Sequence, residues 1–248
     1  MNSNKKLIIE RFKAVKSLGF VESRRSHNTG IGKTFEDYVG VLENNLDTPD
    51  LAGFEIKSHR IASQSYVTLF TKSPSFPRGA NNYLKDTYGE PYQDDLDLKS
   101  LHTSIFADAY NTYRQRLSFR LLDDPITQII TIGVFDTNGN LIDKRVGYTY
   151  QDLEACLKRK LNNLFYVAAE VEIRHGVEYF FFNRADVYMY PSFEKFVALL
   201  RAGKIMYDIR IGSYRSGAKR GKPHDHGSGF RILEGDIRLL YSFHEVVE

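Results

Sequence analysis

The 248-residue sequence predicts a mixed α/β or α+β fold whose sheet is largely antiparallel. Two hairpins support this prediction. Strand-like segments at 117–122 and 128–135 are followed by Asn138-Gly139, a dipeptide typical of tight turns, and segments at 164–174 and 177–190 are separated by two residues. Consecutive hairpins do not fit a doubly wound parallel sheet. Apolar residues make up 42% of the chain and charged residues 26%, the balance of a globular protein with a full core.

The N-terminal part is predicted to begin with two helices. The apolar residues of the first recur at helical spacing and stop at Gly19: Leu7, Ile8, Phe12, Val15 and Leu18. Thr34 is expected to cap a second helix that runs to about Asn45. We then expect two partner strands at 51–57 and 61–70, an irregular stretch at 73–98 and a helix at 101–113.

The C-terminal part surrounds the second hairpin with shorter elements. In chain order we expect a helix at 152–161, a helix at 192–202, a strand at 204–211, a glycine-rich loop at 212–229, and a final strand and helix that includes Leu239, Leu240 and Phe243. Pro191 precedes the second of these helices and Gly203 follows it, as expected for a helix start and stop.

Charge and cysteine content narrow the function classes. The net charge is only +3, but residues 1–27 hold seven basic and two acidic side chains, and residues 201–222 hold seven and one. Two such segments can flank a phosphate backbone, although charge alone fits solvated loops equally well. The single cysteine, Cys156, excludes an internal disulfide and a cysteine-rich zinc site. No apolar run approaches a membrane span and no secretory signal is visible, so a cytoplasmic location is expected.

A group of charged residues after the second helix carries the main functional signal. In Pro49-Asp50-Leu51-Ala52-Gly53-Phe54-Glu55-Ile56-Lys57, residues 54 to 57 alternate between apolar and charged. On a strand, Glu55 and Lys57 therefore share one face, and a turn can bring Asp50 beside them. Two close carboxylates repel each other unless a cation binds between them, and Mg²⁺ accepts carboxylate and water ligands. The bound metal would acidify a water and stabilise charge on a phosphoryl oxygen.

Glu36 on the preceding helix is a further candidate for this metal site. It points away from the predicted apolar stripe of that helix, as Glu43 does, so a solvated helix face is the alternative interpretation. A second acid-x-Lys sequence, Asp97-Leu98-Lys99, lies in a polar run and is expected to be a solvated loop.

These residues resemble the signature of PD-(D/E)xK nucleases. Pro49-Asp50 followed by Glu55-Ile56-Lys57 matches the motif, and Glu36 resembles the helix glutamate of the MutH-like branch. Chain length, the compact spacing and the basic C-terminal loop are similar to the MvaI/BcnI type of restriction endonuclease. The resemblance implies a restriction-endonuclease-like mixed sheet flanked by helices, built as a two-lobed clamp. The N-terminal lobe, about residues 1–120, would carry the catalytic motif, and the C-terminal lobe, about 121–248, much of the DNA recognition.

The same resemblance implies an activity and its site residues. It implies a monomeric Mg²⁺-dependent type II enzyme that cuts the two strands of double-stranded DNA one after the other. The target would be a short CC-N-GG site, with CCWGG as the first form to expect, and the cellular partner would be a cognate DNA methyltransferase. Catalytic positions would be filled by Glu36, Asp50, Glu55 and Lys57, with Asp50, Glu55 and Glu36 as metal ligands.

Residues that could read the DNA sequence are concentrated late in the chain. Arginine and histidine can donate to guanine and aspartate can accept from cytosine, which suits a G·C-rich target. The candidates there are Asp208, Arg210, Tyr214, Arg215, Lys219, Arg220, His224, Asp225, His226 and Arg231. His59 and Arg60, just after the catalytic strand, would lie near a bound backbone or groove, although a simple strand end is an equal alternative. A zinc site at His224 and His226 is a weaker alternative, since no further ligand is near in sequence.

Other functions stay open at this point. A mismatch-repair nicking endonuclease would use the same chemistry but leave single-strand breaks and need an activating partner. A DNA-binding module whose carboxylates only form salt bridges would bind without metal-dependent cleavage. The central base pair of the target, the position of the cut and the number of metal ions do not follow from the sequence.

Overall fold

The computed structural model describes residues 3–27, 29–40, 51–61 and 65–248. The helices are α1 (Ser3–Lys16), α2 (Gly30–Val39), α3 (Ala80–Tyr88), α4 (Tyr150–Lys160) and α5 (Phe193–Arg201), with 3₁₀ segments at Gly217–Lys219 and Glu234–Leu240. The strands are β1 (Val21–Glu22), β2 (Phe54–Arg60), β3 (Tyr66–Thr71), β4 (Glu90–Tyr92), β5 (Asp95–Ile105), β6 (Ser118–Asp124), β7 (Ile129–Phe135), β8 (Leu141–Asp143), β9 (Gly147–Thr149), β10 (Asn163–Arg174), β11 (Val177–Pro191), β12 (Ile205–Ser213), β13 (Pro223–Asp225), β14 (Gly229–Leu233) and β15 (Tyr241–Val247). No helix among the described residues is long and apolar enough to cross a membrane.

The chain folds into two compact units that alternate along the sequence. The first unit comprises Met1–Ser65, Lys158–Ser192 and Ile237–Glu248, and the second comprises Tyr66–Leu157 and Phe193–Asp236. The sequence analysis draws one boundary near residue 120, whereas each unit here is assembled from separate segments. The division of labour between an N-terminal and a C-terminal lobe stays a prediction.

The first unit contains a five-stranded mixed sheet. The long strands β10 and β11 form an antiparallel hairpin, and β1 and β15 pair with the other side of β11. β2 lies at the opposite edge and runs parallel to β10, in a register from Phe54↔Asn163 to Arg60↔Ala169. The strand that carries the catalytic candidates is therefore an edge strand of this sheet among the described residues.

An apolar core on one face of this sheet holds α1 and α2 in place. Ile8 and Phe12 of α1 and Phe35 of α2 are fully buried there, together with Phe54 of β2. The ring centroid of Phe35 lies 5.0 Å from that of Phe182 on β11. Each fully buried side chain of this size contributes about 1.5–3 kcal/mol. This packing orients β2, because its apolar residues must face the two helices.

The second unit contains two antiparallel sheets. The larger has the strand order β3-β14-β12-β5-β4, with β13 paired to the end of β12, and the smaller is β6-β7-β8 with β9 on β7. Aromatic side chains of β12 and β14 pack into a buried cluster with rings of neighbouring elements. Its members are Tyr148, Tyr207, Phe70, Phe196 and Phe230. Both predicted hairpins are present, and the predicted mixed α and β fold class is confirmed.

The second helix begins earlier than predicted. α2 starts at Gly30, and Gly40 follows its end with φ 79°, a left-handed conformation that glycine adopts without strain. Thr34 is therefore not the N-cap. It is fully buried inside the helix, where its hydroxyl donates to the carbonyl of Gly30 at 2.7 Å and accepts the backbone N–H of Arg24 at 2.8 Å. The predicted extension to Asn45 lies outside the described residues.

The predicted partner of the catalytic strand is wrong. β2 pairs with β10, which begins more than 100 residues later, whereas β3 joins β14 in the second unit. The predicted helix at 101–113 is also wrong, because this segment begins within β5. The buried residues of β5 are Leu98, Leu101 and Ile105. They have a helix-like spacing, but β5 pairs with β12 in a sheet. The stretch at 73–98, predicted to be irregular, contains α3 and β4.

Three further segments differ from the predictions. Asp97-Leu98-Lys99 lies on β5 rather than in a loop, with the ammonium of Lys99 bonded to the carbonyl of Asp86 at 2.7 Å. The loop at 212–229 contains β13, and the C-terminal segment ends in β15 rather than in a helix, so that Phe243 lies on a strand.

Candidate active site

Two of the proposed catalytic residues meet on one face of β2. Phe54 and Ile56 are buried, whereas Glu55 and Lys57 are half-buried on the opposite face, as the alternation predicts. The Nζ atom of Lys57 donates to Oε1 of Glu55 at 3.1 Å. About one third of each side chain is exposed, 33% for Lys57 and 32% for Glu55. A carboxylate and an ammonium group thus stand side by side where a charged ligand can reach them.

Of the other two proposed catalytic residues, the structure describes only Glu36. Glu36 is half-buried on α2, and its Oε1 lies 3.8 Å from the position that a Cβ atom on Gly32 would take. The carboxylate therefore reaches back toward the first turn of the helix, where the helix dipole favours a negative charge. Asp50 and Glu43 lie outside the described residues. The structure thus brings Glu55 and Lys57 together, while the assembly of all four remains a prediction.

Aromatic residues of neighbouring strands surround the Glu55 side of the sheet. Tyr241 is buried, and burial together with the nearby carboxylate of Glu55 raises the pKa of its phenol. The ring of His59 stacks on Tyr166 at 4.2 Å. Burial is the main cause that lowers the pKa of His59 to about 4, with Asp186 opposing the shift and Arg184 adding to it. His59 is therefore neutral at pH 7 and offers a hydrogen bond rather than a charge.

In the second unit, Asp208 joins two of the arginines predicted to read DNA. Oδ2 of Asp208 lies 2.6 Å from Nε of Arg210 and 2.9 Å from Nε of Arg231, and Oδ1 accepts the hydroxyl of Ser104 at 3.0 Å. Arg231 also donates to Thr68 and to the carbonyl of Gly227. The terminal nitrogens of Arg210 make no hydrogen bond or ion pair within the described part of the chain, and half of this side chain is exposed. Of the two arginines, only Arg210 presents its guanidinium fork outward.

The loop after β12 carries the other candidates, and several of them already have partners. Arg215 pairs with Asp94, and Arg220 pairs with Asp95 at 2.8 Å. The ring of Tyr214 stacks on His224 at 4.2 Å, and His224 contacts His226 at 4.1 Å. Lys219 lies over the ring of Tyr214 at 5.3 Å. The loop thus presents a connected group of rings and cations rather than separate flexible side chains.

Asp225 stabilises its own turn. Oδ1 accepts the backbone N–H groups of Gly227 and Ser228, and Oδ2 accepts the side-chain amide of Asn81 at 2.9 Å. Gly212 permits a close approach nearby, because a Cβ atom there would lie 2.9 Å from Nε2 of His226. Within the described residues, no three His, Cys, Asp or Glu side chains gather closely enough to hold a metal ion. The zinc interpretation of His224 and His226 gains no third ligand here.

Comparison with protein families gives a direct result. The family model "MvaI/BcnI restriction endonuclease family" matches residues 9–241, nearly the whole chain. The chain belongs to the MvaI/BcnI restriction endonuclease family. It is thus a type II site-specific nuclease, as the resemblance implies.

Solved structures of a family member agree with this assignment. The chain is similar to restriction endonuclease MvaI in complex with its cognate DNA substrate, with 36% identity, a TM-score of 0.85 and 99% of both chains covered. It is also similar to MvaI in the absence of DNA, with 35% identity and a TM-score of 0.70 over 100% of this chain and 99% of that chain. A search of curated proteins gives no significant match.

The sequence analysis missed two residues of this chain that lie close to the predicted DNA-reading residues. His102 on β5 lies opposite Arg210 in the β-sheet register, and its ring is 6.2 Å from that of His226. Burial, with help from the nearby His226 and Arg210, lowers the pKa of His102. Lys85 on α3 is buried, and its ammonium donates to the hydroxyl of Ser213 at 3.2 Å and to the carbonyl of Gly221 at 3.1 Å. The buried residues of β5 do not alternate regularly, so no local pattern in the sequence marks His102 as a residue of a strand.

Proposed function

We propose that this chain is a Mg²⁺-dependent endonuclease that cuts both strands of double-stranded DNA at a CC-N-GG site, with CCWGG as the first site to test. It acts as a monomer and cuts the strands in sequence. The observation that carries the proposal is the pairing of Glu55 with Lys57 on an exposed strand edge, in a chain of this family. MvaI, whose structure with its cognate DNA substrate is similar over 99% of the chain, supports duplex DNA as the substrate.

The donor atoms at β2 fit a hard divalent cation. Glu55 offers carboxylate oxygens that are accessible from solvent, and Glu36 and Asp50 would supply more, which is the donor chemistry that Mg²⁺ prefers. Asp50, the ligand proposed from the sequence, lies outside the described residues. When bound, the metal would lower the pKa of a coordinated water and neutralise charge on the phosphoryl group.

Lys57 would act beside this metal site. Its ammonium lies 3.1 Å from a carboxylate oxygen of Glu55. A phosphate that approaches a metal ion held by Glu55 would therefore also come close to Lys57. Lys57 would there hold the attacking water or neutralise the charge that develops on the phosphoryl oxygen, and both roles stay open. His59, neutral at pH 7, would lie on the same face of β2 and contribute hydrogen bonding rather than charge.

Recognition of the target is assigned to residues of the second unit. Arg210 would donate its outward fork to N7 and O6 of a guanine, while Asp208 and Arg231 hold it in that orientation. The remaining contacts with bases and phosphates would come from Tyr214, Arg215, Lys219, Arg220, His224, Asp225 and His226. His59 and Arg60 would contribute near the backbone.

Digestion of a plasmid with defined CCWGG and CCSGG sites tests the proposal. The wild-type protein with Mg²⁺ should give double-strand breaks at one of these sites, with a nicked intermediate that accumulates first, and EDTA should abolish cutting. Asp50→Ala should lose at least a hundredfold in rate. Asp97→Ala, in the second acid-x-Lys sequence, is the matched control and should cut as the wild type does. Equal rates for Asp50→Ala and the wild type would refute the metal site.

The same experiment separates the alternative functions. A mismatch-repair nicking enzyme would stop at the nicked plasmid unless an activating partner were added.

A restriction enzyme of this kind also requires protection of the host DNA. We therefore propose a cognate methyltransferase as its cellular partner and the cytoplasm as its location, and methylation of the target cytosines should block cutting.

A further inference from the structure

A basic groove in the first unit lies away from the proposed catalytic residues. It has a volume of about 500 Å³ and is lined by three arginines and a histidine, Arg24, Arg25, Arg60 and His27. Glu178 is the only acidic residue among the described residues that line it, and it binds Arg60 through both carboxylate oxygens at 2.9 and 3.0 Å. The side chains of Arg24, Arg25 and His27 are exposed. The groove is therefore positively charged overall and suits an anion.

The loop that forms one wall of this groove is held in a defined conformation. The buried hydroxyl of Thr34 accepts the N–H of Arg24, and the hydroxyl of Ser23 donates to the carbonyl of Arg25 at 2.7 Å. A Cβ atom on Gly30 would lie 2.2 Å from that same carbonyl, so that only glycine allows the loop to pack against the start of α2. Ordering this loop costs little on binding, because its backbone is already fixed.

Both elements that carry catalytic candidates lead to this groove. Arg60 follows Lys57 by three residues on β2, a distance of about 10 Å along a strand. The start of α2, against which the loop packs, precedes Glu36 by six residues, or about 9 Å along a helix. Because β2 is the edge strand, a DNA strand that follows this edge can reach both Lys57 on one face and Arg60 on the other.

We propose that this groove binds the phosphate backbone of the cleaved DNA strand, close to the phosphate that is cut. Arg24 and Arg25 supply the main charge, and Arg60 completes the site from β2. The proposal rests on the proposed function, since it places the groove relative to the cutting position. The loop would contact DNA phosphates, which are the same at every base, so this contact would not contribute to sequence recognition.

Salt dependence of DNA binding tests the charge of the groove. Binding of a duplex with the target site is measured with Ca²⁺ in place of Mg²⁺, over a range of salt concentrations. The Arg24→Gln/Arg25→Gln variant should reduce the slope of log K against log salt by one to two. Lys13→Gln/Lys16→Gln removes two charges from the same basic segment outside the groove and should leave the slope unchanged. Arg24→Lys/Arg25→Lys should restore it, and Glu178→Gln should tighten binding severalfold.

Neutral phosphates locate the contact on the DNA. A single methylphosphonate is placed at each of the five phosphates on either side of the cut. The wild type should lose about tenfold in affinity at one of the phosphates close to the cut, and the Arg24→Gln/Arg25→Gln variant should lose nothing further there. Equal losses in both proteins at every position, or an unchanged salt slope in the variant, would overturn the proposal. A wild-type protein that binds DNA but does not cut it would instead refute the proposed function, and the binding results would still judge the groove.

Discussion

Lys57 donates to Glu55 at 3.1 Å across one face of β2, while the apolar residues between and before them are buried on the other. The pair balances its own charge before any substrate binds. A neighbouring carboxylate keeps the ammonium in place, and the ammonium offsets repulsion between the carboxylate and an approaching phosphate. Loss of Lys57 should therefore affect the cleavage step more than DNA binding, because the residues proposed to read the DNA keep their charges.

Lys57→Met should therefore reduce the cleavage rate far more than DNA binding. We expect kcat to fall by about 10²–10⁴, the range for loss of a positioned charge or proton-transfer group, while the affinity measured with Ca²⁺ changes less than threefold. Single-turnover cleavage and a binding titration give the two numbers. Lys99→Met, which removes another strand lysine that follows an acid-x pattern, should change neither. A parallel loss of binding and cleavage in Lys57→Met would show that Lys57 is a binding residue.

Arg210 and Arg231 should respond differently to the same substitution. Arg210→Gln removes an exposed fork, so that discrimination against the wrong base at one guanine should fall by about 1–3 kcal/mol, with little loss of stability. Arg231→Gln leaves the buried Asp208 with fewer partners and should lower the free energy of unfolding by about 1–3 kcal/mol. Cleavage of a set of single-base variants of the target, together with urea unfolding, measures both effects. A loss of specificity without a loss of stability in Arg231→Gln would contradict this division of roles.

Lys85 should hold the loop between Ser213 and Gly221, which carries several of the predicted DNA-reading residues, without touching DNA itself. Its buried ammonium binds Ser213 before the loop and Gly221 near its end. Lys85→Met should free this loop, so that trypsin cuts sooner at Arg215, Lys219 or Arg220 and KM rises more than kcat falls. Lys85→Arg keeps the charge and should recover part of the KM, whereas Lys99→Met is the control for loss of a nearby ammonium. Equal trypsin cleavage of the wild type and Lys85→Met would exclude this role.

Local patterns in the sequence predict the catalytic strand and its exposed face. The alternation from Phe54 to Lys57 depends only on the geometry of a strand, so it identifies which side chains share a face. The pairing of β2 with β10 could not be predicted, because a parallel partner over 100 residues away leaves no local signal. The helix at 101–113 is wrong for a similar reason, since the helix-like spacing of Leu98, Leu101 and Ile105 is outweighed by pairing with β12.

The partners of the predicted DNA-reading residues also could not be predicted from the sequence. Residue type and position late in the chain identify Asp208, Arg210 and Arg231 as candidates. Only the structure shows that Asp208 pairs with both arginines and that Arg231 bonds to groups inside the fold. Lys85 escapes sequence analysis because it lies in a stretch predicted to be irregular and because a lysine is usually exposed, whereas here it is 3% exposed. Side chains that support a site are recognised by their neighbours, which the sequence does not provide.

His59 should make the stability of the protein depend on pH. Its pKa is lowered from 6.5 to about 4, because burial disfavours the charged ring. As the pH falls below about 6.5, the unfolded chain binds a proton that the folded chain does not, so stability is complete above pH 6.5 and is lost down to about pH 4. The shift sets an upper limit of about 3 kcal/mol, and partial exposure of the ring reduces it to about 1–2 kcal/mol.

His59→Phe keeps the ring against Tyr166 but cannot be protonated. In urea unfolding at pH 7.5, 6.5, 5.5 and 4.5, the wild type should lose about 1–2 kcal/mol more than this variant over the range. His175→Asn, in the exposed turn between β10 and β11, removes one histidine elsewhere and should follow the wild type. Parallel pH profiles for the wild type and His59→Phe would mean that the ring becomes protonated in the folded state as easily as in water. His59 could then carry a positive charge toward the DNA backbone near neutral pH, contrary to the role given to it above.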